Sequence, residues 1–267
     1  MGSASSAGRV TDPGGDELLA VARDAAQAAA TVLLERYGAA AGPVGLATKS
    51  TATDLVSEAD LAAETAIRDV LARRRPGDGI LGEEGTGDVA GTTGLRWIVD
   101  PLDGTVNYLF GLPQWCVSVA CEGRAGVILD PIRDECFEVI AGAPATLGGE
   151  PLRGSDREEL ATALVATGFG YDADVRAGQA AVVAALLPRV RDIRRMGSAA
   201  LDLVWTAAGR YDAFYERGVK AWDIAAGTML CAQAGLEVRE LPAGDHLPAG
   251  VLVAAPAIAG PLASLVA

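Results

Sequence analysis

The stretch of the chain with the clearest structural signal is Trp97-Ile98-Val99-Asp100-Pro101-Leu102-Asp103-Gly104-Thr105-Val106-Asn107, an apolar run that ends in two acids and a glycine-led turn. Asp100 and Asp103 stand on opposite sides of a proline-stiffened step, so both carboxylates can close on one hard cation. The carbonyl of Leu102 adds a neutral oxygen ligand. This corner therefore predicts a metal site.

The same corner also predicts a place for an anion. Gly104, Thr105 and the residues after them present backbone N–H groups at the expected start of a helix, which suits a phosphate. The alternative is an ordinary Asx-rich turn between a strand and a helix. Because metal ligands and an anion-binding turn occur together in a few residues, we interpret this stretch as a functional site.

Length and composition indicate a globular protein. The chain has 267 residues, 50% of them hydrophobic, which is enough for one large domain or two closely packed halves. Its formal net charge of −13 repels phosphate backbones, so no nucleic-acid partner is expected. A small phosphate ester can still bind where a divalent metal reverses the charge locally.

Other features bear on the compartment. Residues 1–15 are rich in Gly, Ser and Ala, and we expect a disordered tail rather than a signal peptide or a membrane anchor. No apolar run reaches the roughly 18 residues of a membrane span. The cysteines form no C-x-x-C pair and are predicted to be buried thiols in a reducing cytoplasm. They are Cys116, Cys121, Cys136 and Cys231.

The chain has a single histidine, His246. That composition makes a Ser-His-Asp triad improbable and leaves a zinc site poorly supplied with ligands. Acid-rich oxygen chemistry instead indicates magnesium or manganese.

The first half predicts two helices followed by a largely antiparallel sheet. Residues 16–37 form a proline-free helical segment, and a capping box at 57–60 starts a second helix that stops before Pro76. Short apolar runs separated by Gly, Pro and Asp follow as strands. The predicted strands cover 80–82, 95–100, 115–121, 125–129 and 136–140.

The second half alternates strands with helices, which predicts an α/β arrangement. The whole chain is therefore mixed, α/β or α+β, with subdomains expected at 16–143 and 144–267 and chemistry in the cleft between them. Predicted strands cover 164–167, 190–194, 213–216 and 251–254, and predicted helices cover 175–187, 198–208, 224–234 and 257–266.

Three weaker signals accompany the main motif. Glu83 and Glu84 end a predicted strand, although adjacent glutamates in a loop are usually solvated charge. Asp223 directly precedes the helix expected from residue 224, where an ordinary N-cap is the alternative. Lys49 and Asp60 flank a polar loop and the start of a helix, where the alternative is a capped helix.

In this order along the chain, the motifs resemble those of the inositol monophosphatase family of magnesium-dependent phosphatases, from about residue 16 to the C-terminus. The D-P-x-D-G-T-x-N and W-D-x-A-A-G patterns are specific to that superfamily. The matching residues are Lys49, Thr53-Asp54-Leu55-Val56, Asp60, Gly82-Glu83-Glu84, Asp100 to Asn107, Gly197-Ser198-Ala199-Ala200 and Trp222-Asp223.

The resemblance implies a layered αβαβα sandwich, a homodimer, and hydrolysis of phosphomonoesters with two to three Mg²⁺ ions, which Mn²⁺ can replace. Lithium often inhibits such enzymes. Glu83, Asp100 and the Leu102 carbonyl look like ligands of a first ion. Asp100, Asp103 and Asp223 look like ligands of a second ion, and a third, weaker ion would also use Glu83.

The resemblance implies catalytic and substrate-binding roles as well. Thr105 would hold the attacking water together with Glu83, and Asp60 would accept from the threonine hydroxyl. The N–H groups of Gly104 and Thr105 would hold the phosphate. Ser198, Glu216 and Asp223 resemble the groups that bind the hydroxyls of the alcohol. Lys220 stands where some members have histidine, which leaves the substrate open.

The predicted function is Mg²⁺-dependent hydrolysis of inositol 1-phosphate or a related polyol or sugar phosphate. Histidinol phosphate and fructose 1,6-bisphosphate are alternative substrates. A binding protein that contacts transcription or RNA-processing machinery, with phosphatase activity as a secondary trait, is the alternative of another class.

Two further patterns are interpreted as structural. We interpret the arginines in 73–75 and 191–195 as charges on solvent-exposed faces of the protein. The tryptophans lie in apolar surroundings and are expected in the core. They are Trp97, Trp115, Trp205 and Trp222.

Overall fold

A computed structural model describes residues 13–37, 47–48, 55–56, 58–84, 88–244 and 247–267. Several predictions concern residues outside these ranges: the tail up to residue 12, Lys49, Thr53, Asp54, the Ser57 cap and His246. No helix among the described residues is long and apolar enough to cross a membrane. The α-helices are α1 (Gly15–Arg36), α2 (Glu58–Arg74), α3 (Thr105–Leu109), α4 (Ala173–Leu186), α5 (Ala199–Ala207), α6 (Ala221–Gln233) and α7 (Pro256–Val266).

The strands form two large sheets and one small two-stranded ladder, β1 with β2. Their bounds are β1 (Ala47–Thr48), β2 (Leu55–Val56), β3 (Gly79–Gly82), β4 (Asp88–Val89), β5 (Arg96–Asp103), β6 (Cys116–Cys121), β7 (Ala125–Asp130), β8 (Glu135–Ile140), β9 (Thr146–Leu147), β10 (Glu150–Pro151), β11 (Leu164–Thr167), β12 (Asp192–Arg194), β13 (Ala213–Arg217), β14 (Glu237–Leu241) and β15 (Gly250–Ala254).

The first large sheet has eight strands in the order β10-β9-β8-β7-β6-β5-β3-β4. Every pairing is antiparallel except the one between β3 and β5, so the prediction of a largely antiparallel sheet is confirmed. The sequence reading missed β4, β9 and β10, which are only two residues long each. β9 and β10 extend this sheet beyond residue 143. The boundary between subdomains at residues 143 and 144 stays a prediction.

The second large sheet has five strands in the order β12-β11-β13-β15-β14. β11 pairs in parallel with both of its neighbours, whereas β15 pairs antiparallel with β13 and β14. The sequence patterns did not predict β14, because three of the five residues of this edge strand are charged and it lacks an apolar run. An edge strand with charged side chains is a common solution where one side has no partner.

Helices and sheets stack in five layers, which confirms the αβαβα prediction. α1 and α2 cover the outer face of the first sheet, and their buried side chains share a core with β5, β6 and β7. α5 and α6 lie between the two sheets. α4 and α7 cover the outer face of the second sheet.

Small residues allow the central layer to pack closely. A Cβ on Gly227 of α6 would lie 2.5 Å from Leu203 Cδ1 of α5, which is shorter than van der Waals contact between two carbon atoms. On the sheet side, a Cβ on Gly126 would lie 3.2 Å from the Ala226 Cβ. The two central helices therefore approach each other and the first sheet closely, and their N-terminal ends meet the end of β5.

Candidate active site

A cavity of about 370 Å³ opens where the first sheet, the central helices and the second sheet meet. Most of the residues predicted for the site line it, although they come from segments far apart in sequence. These are Glu83, Asp100, Leu102, Asp103, Gly104, Thr105, Glu216 and Asp223. Asp60 and Ser198 do not line the cavity, but each is buried and within hydrogen-bond distance of a residue that does.

The turn after β5 is shaped by its own sequence. The pairing of β5 with β6 shifts register between Asp100 and Asp103, and the Leu102 N–H donates to Asp100 Oδ1 at 3.0 Å. Gly104 then adopts φ +101°, and a Cβ there would lie 2.7 Å from the carbonyl oxygen of Gln114. Glycine is required at this position because a side chain would be both strained and obstructed.

Thr105 connects this turn to α2. Its Oγ1 lies 3.2 Å from Asp60 Oδ2 and 3.1 Å from the Leu102 carbonyl oxygen. The hydroxyl has one hydrogen, so it can donate to only one of these acceptors at a time. Thr105 lines the cavity, and its hydroxyl oxygen can still accept a hydrogen bond from a water molecule.

α2 also positions the loop that carries Glu83. Glu64 accepts from the Glu84 N–H at 2.7 Å and from Arg68 Nε at 2.8 Å. Asp60 and Glu64 are four residues apart and share one face of the helix. One turn of α2 therefore holds both the threonine and the glutamate loop.

Three hydrogen bonds tie the second half of the chain to the same turn. Asp103 Oδ2 accepts from Ser198 Oγ at 2.6 Å and from the Ala200 N–H at 2.6 Å, at the start of α5. Asn107 Nδ2 donates to the carbonyls of Gln114 at 2.7 Å and Met196 at 2.8 Å. The D-G-T-x-N motif thus spans both halves of the cavity.

Asp223 enters the cavity from the first turn of α6. The prediction that this residue precedes the helix is wrong, because α6 begins at Ala221. The Asp223 carboxylate reaches back and accepts from the Lys220 N–H at 2.6 Å, as the third helical residue of a capping box does. Trp222 also lines the cavity and is half-buried, so its expected place in the core is wrong.

The carboxylates of the cavity disfavour one another's charge. Burial, followed by repulsion from Glu83 and Asp103, raises the pKa of Asp100 well above its usual value. Burial raises the pKa of Asp103 to about 6, although its bond from Ser198 opposes the shift. Burial and repulsion from Asp103 raise the pKa of Asp223. None of these three aspartates forms an ion pair with a lysine or arginine of the described chain.

The donor set fits a hard cation. Carboxylate and carbonyl oxygens face one cavity, and a bound divalent ion would relieve the repulsion between the acids. Within the described ranges, no three His, Cys, Asp or Glu side chains already form a group that could hold a metal ion. The donor chemistry and the shared cavity support metal binding at this place.

Sequence reasoning missed three groups around the cavity. Asp202 is fully buried on α5, and neither carboxylate oxygen has a hydrogen-bond partner among the residues that the structure describes. Arg195 is exposed, as expected for a solvated face, and it also lines the cavity, over the ring of Phe169 and 5.7 Å from its centroid. The Cys116 thiol lies 3.6 Å from Ser198 Oγ. Only Arg195 had a nearby signal, because it precedes the Gly197 turn by two residues.

Known proteins resemble this chain in sequence and in structure. Residues 15–266 match the model of the inositol monophosphatase family. The chain belongs to the inositol monophosphatase family. It is 44% identical over 227 residues to the inositol-1-monophosphatase SuhB of Mycobacterium tuberculosis strain ATCC 25618 / H37Rv, covering 80% of this chain and 78% of that protein.

Two further relatives extend the comparison. The chain is 44% identical over 197 residues to the Nus factor SuhB of Xylella fastidiosa, and the match covers 72% of this chain and 71% of that protein. The crystal structure of the extragenic suppressor protein suhB from Bartonella henselae superposes with a TM-score of 0.84 at 34% identity, covering 93% of this chain and 98% of that one. Membership of this family supports a phosphatase with a small-molecule substrate, and the family is generally metal-dependent.

Proposed function

We propose that this inositol monophosphatase family member is a Mg²⁺-dependent phosphomonoesterase that hydrolyses inositol 1-phosphate or a related polyol phosphate. The observation that carries the proposal is the shared cavity of Glu83, Asp100, Asp103 and Asp223, beside the contact between Thr105 and Asp60. Its relative in Mycobacterium tuberculosis bears the name inositol-1-monophosphatase.

Each acid has a role in this proposal. Glu83, Asp100 and the Leu102 carbonyl would hold one Mg²⁺, and Asp100, Asp103 and Asp223 would hold a second. Glu83 would share a third ion. Bound Mg²⁺ supplies an acidified water and stabilises the leaving oxygen. Mn²⁺ is the expected substitute, since it also accepts carboxylate and carbonyl oxygens.

The remaining residues orient the reactants. Thr105 and Glu83 would hold the attacking water, and Asp60 would accept a hydrogen bond from the threonine hydroxyl and so fix its direction. The N–H groups of Gly104 and Thr105 face the phosphate at the start of α3. Glu216 and Ser198 lie on the second half of the chain, where the alcohol of the substrate would bind.

The test is phosphate release from a panel of esters with Mg²⁺ and with chelator. The panel contains inositol 1-phosphate, histidinol phosphate, fructose 1,6-bisphosphate and adenosine 3′,5′-bisphosphate. We expect metal-dependent release with preference for inositol 1-phosphate. Preference for another ester would keep the chemistry and change the substrate, and absence of release from every ester would overturn the proposal.

Variants test the site separately from the substrate. Asp103→Asn and Glu83→Gln should abolish turnover and leave the circular dichroism spectrum unchanged. Asp156→Asn is a matched control, because Asp156 is exposed and outside the cavity. Unchanged activity in either site variant would contradict the assignment of these ligands. The homodimer is tested on the same samples by light scattering.

A second candidate function is supported by the name of one relative. The Xylella fastidiosa relative, which is as similar to this chain as the mycobacterial one, bears the name Nus factor SuhB. We propose as the alternative that this chain binds transcription or RNA-processing machinery and hydrolyses esters as a secondary trait. A stoichiometric protein partner, recovered equally by wild type and Asp103→Asn, would support it, and recovery of none would oppose it.

A further inference from the structure

Gln179 occupies an unusual position on α4. This helix covers the outer face of the second sheet, and its buried residues are only Gln179 and Leu186. The Gln179 side chain is 5% exposed. Glutamine is mostly found at protein surfaces, and burying its amide is unfavourable unless both ends are hydrogen-bonded. A leucine would cover the sheet with less desolvation, so the amide needs another explanation.

Both ends of the amide bind the backbone of cavity-lining segments. Gln179 Oε1 accepts from the Gly170 N–H at 3.0 Å. Gln179 Nε2 donates to the Arg217 carbonyl at 3.2 Å. Gly170 and Arg217 both line the cavity, on different segments of the chain. One side chain therefore sets the distance between the 168–172 segment and the end of β13.

Residues close to Gly170 and Arg217 contact each other beside the cavity. Gly168 lies directly against Glu216, since a Cβ on this glycine would be 2.1 Å from the carboxyl carbon of the glutamate. Gly168 is two residues from Gly170, and Glu216 is adjacent to Arg217. The last pair of the ladder between β11 and β13 is Thr167 with Tyr215. Gln179 thus fixes the spacing just beyond this ladder, where Gly168 contacts Glu216.

The Arg217 segment is fixed from its other side. The buried guanidinium of Arg217 donates to the carbonyls of Val266, Pro242 and Pro248, at 2.9 to 3.1 Å. The strand end is consequently held on both sides, by the C-terminal helix and by Gln179. The 168–172 segment has in addition an exposed tie, from Arg176 Nη1 to the Tyr171 carbonyl at 2.6 Å. Gln179 joins the two segments to each other beyond the end of the ladder between β11 and β13.

We propose that Gln179 is a positioning residue that holds the 168–172 segment against Glu216 and thereby shapes the part of the cavity that receives the alcohol of the substrate. The inference rests on the proposed phosphatase function for its kinetic consequence. It concerns binding of the alcohol and leaves the phosphate-binding turn at Gly104 and Thr105 untouched. Gln179 touches neither the substrate nor the reacting atoms.

The first test compares two esters in a Gln179→Met variant, which keeps the length of the side chain and removes both hydrogen bonds. We expect KM for inositol 1-phosphate to rise about tenfold, the effect of weakening one hydrogen bond between Glu216 and a hydroxyl of the substrate. KM for p-nitrophenyl phosphate should stay within about twofold, because its flat alcohol has no hydroxyls for Glu216. Gln27→Met, at an exposed position of α1, is the matched control.

The second test needs no activity. Hydrogen exchange followed by mass spectrometry should show faster exchange in 168–172 and 215–218 in Gln179→Met, with 100–107 unchanged. Unchanged exchange in both segments would overturn the positioning role whatever the substrate is. Equal losses for both esters with a lowered melting temperature would also overturn it, in favour of a purely structural role. Failure of wild type to hydrolyse any ester would instead count against the proposed function.

Discussion

Ser198 Oγ donates to Asp103 Oδ2 at 2.6 Å across 95 residues of sequence. The same hydroxyl accepts from the Leu201 N–H at 3.3 Å and so caps the N-terminus of α5. One serine therefore starts a helix in the central layer and orients an aspartate at the end of β5. This bond is a direct structural connection between the two halves of the candidate site.

Ser198→Ala should weaken both functions of the serine. Loss of the cap predicts a free energy of unfolding lower by about 1 kcal/mol, measured by denaturant titration. Loss of the donor leaves Asp103 with a less fixed carboxylate, so the Mg²⁺ concentration at half-maximal activity should rise several-fold. Ser264→Ala, on the exposed side of α7, is the control. An unchanged Mg²⁺ dependence would contradict the link between the two residues.

Thr105→Val should lower kcat strongly and leave KM nearly unchanged. Valine has the same shape but cannot hold a water molecule or donate to Asp60, and loss of such a positioned group predicts a fall of about 100-fold or more. Thr105→Ser keeps the hydroxyl and should retain most of the activity. Steady-state kinetics at saturating Mg²⁺ measures both variants. Comparable activity of Thr105→Val and wild type would remove the threonine from the reaction.

Glu216 predicts a pH dependence of stability in metal-free protein. Burial, with repulsion from Asp103 and opposed by Arg195, raises its pKa from 4.5 to about 8. The folded chain therefore holds this proton more tightly than the unfolded chain. The contribution to stability is complete below about 4.5 and is lost as pH rises toward about 8.

Thermal unfolding of chelated protein between pH 4.5 and 8 measures this effect. The melting temperature of wild type should fall with rising pH by more than that of Glu216→Gln, whose amide does not titrate. Glu237→Gln, on the edge strand β14, controls for the loss of one surface charge. Parallel curves for wild type and Glu216→Gln would show that Glu216 does not titrate in this range.

Gly168→Ala should impair binding of the alcohol without unfolding the chain. The new methyl group would overlap the Glu216 carboxylate, which lies at the end of a flexible side chain and can move. We expect a higher KM for inositol 1-phosphate, with little change for p-nitrophenyl phosphate. Gly14→Ala is the control, because nothing lies within 4 Å of a Cβ there. Equal KM values for Gly168→Ala and wild type would contradict a role for Glu216 in binding.

Local sequence patterns predicted the elements well where side chains alternate or repeat clearly. α1 was expected at 16–37 and runs from Gly15 to Arg36, and β11 was predicted at its observed residues. Prediction was wrong where local signals compete. α6 begins before Asp223 because the carboxylate binds the backbone behind it, and a sequence pattern does not distinguish that arrangement from an N-cap.

The contacts that join distant segments had no local signal. In the sequence, Gln179 cannot be distinguished from other polar residues of a helix. Its burial depends on how α4 packs against the second sheet. Arg195 belongs to a basic run, and only the fold shows that it faces the cavity while Arg194 pairs with Asp192 on the surface. Charge along a sequence does not reveal which side of a strand end faces a cleft.

Sequence alone established the turn between Asp100 and Thr105, because proline, glycine and a strand-ending acid restrict the backbone within a few residues. It also established the chemistry of that turn, since carboxylates and backbone N–H groups are local properties. Tertiary structure decided which distant residues join it: Asp60 from α2, Ser198 from α5 and Glu216 from the second sheet. Those contacts arise from the packing of five layers, and packing depends on the whole chain rather than on any segment of it.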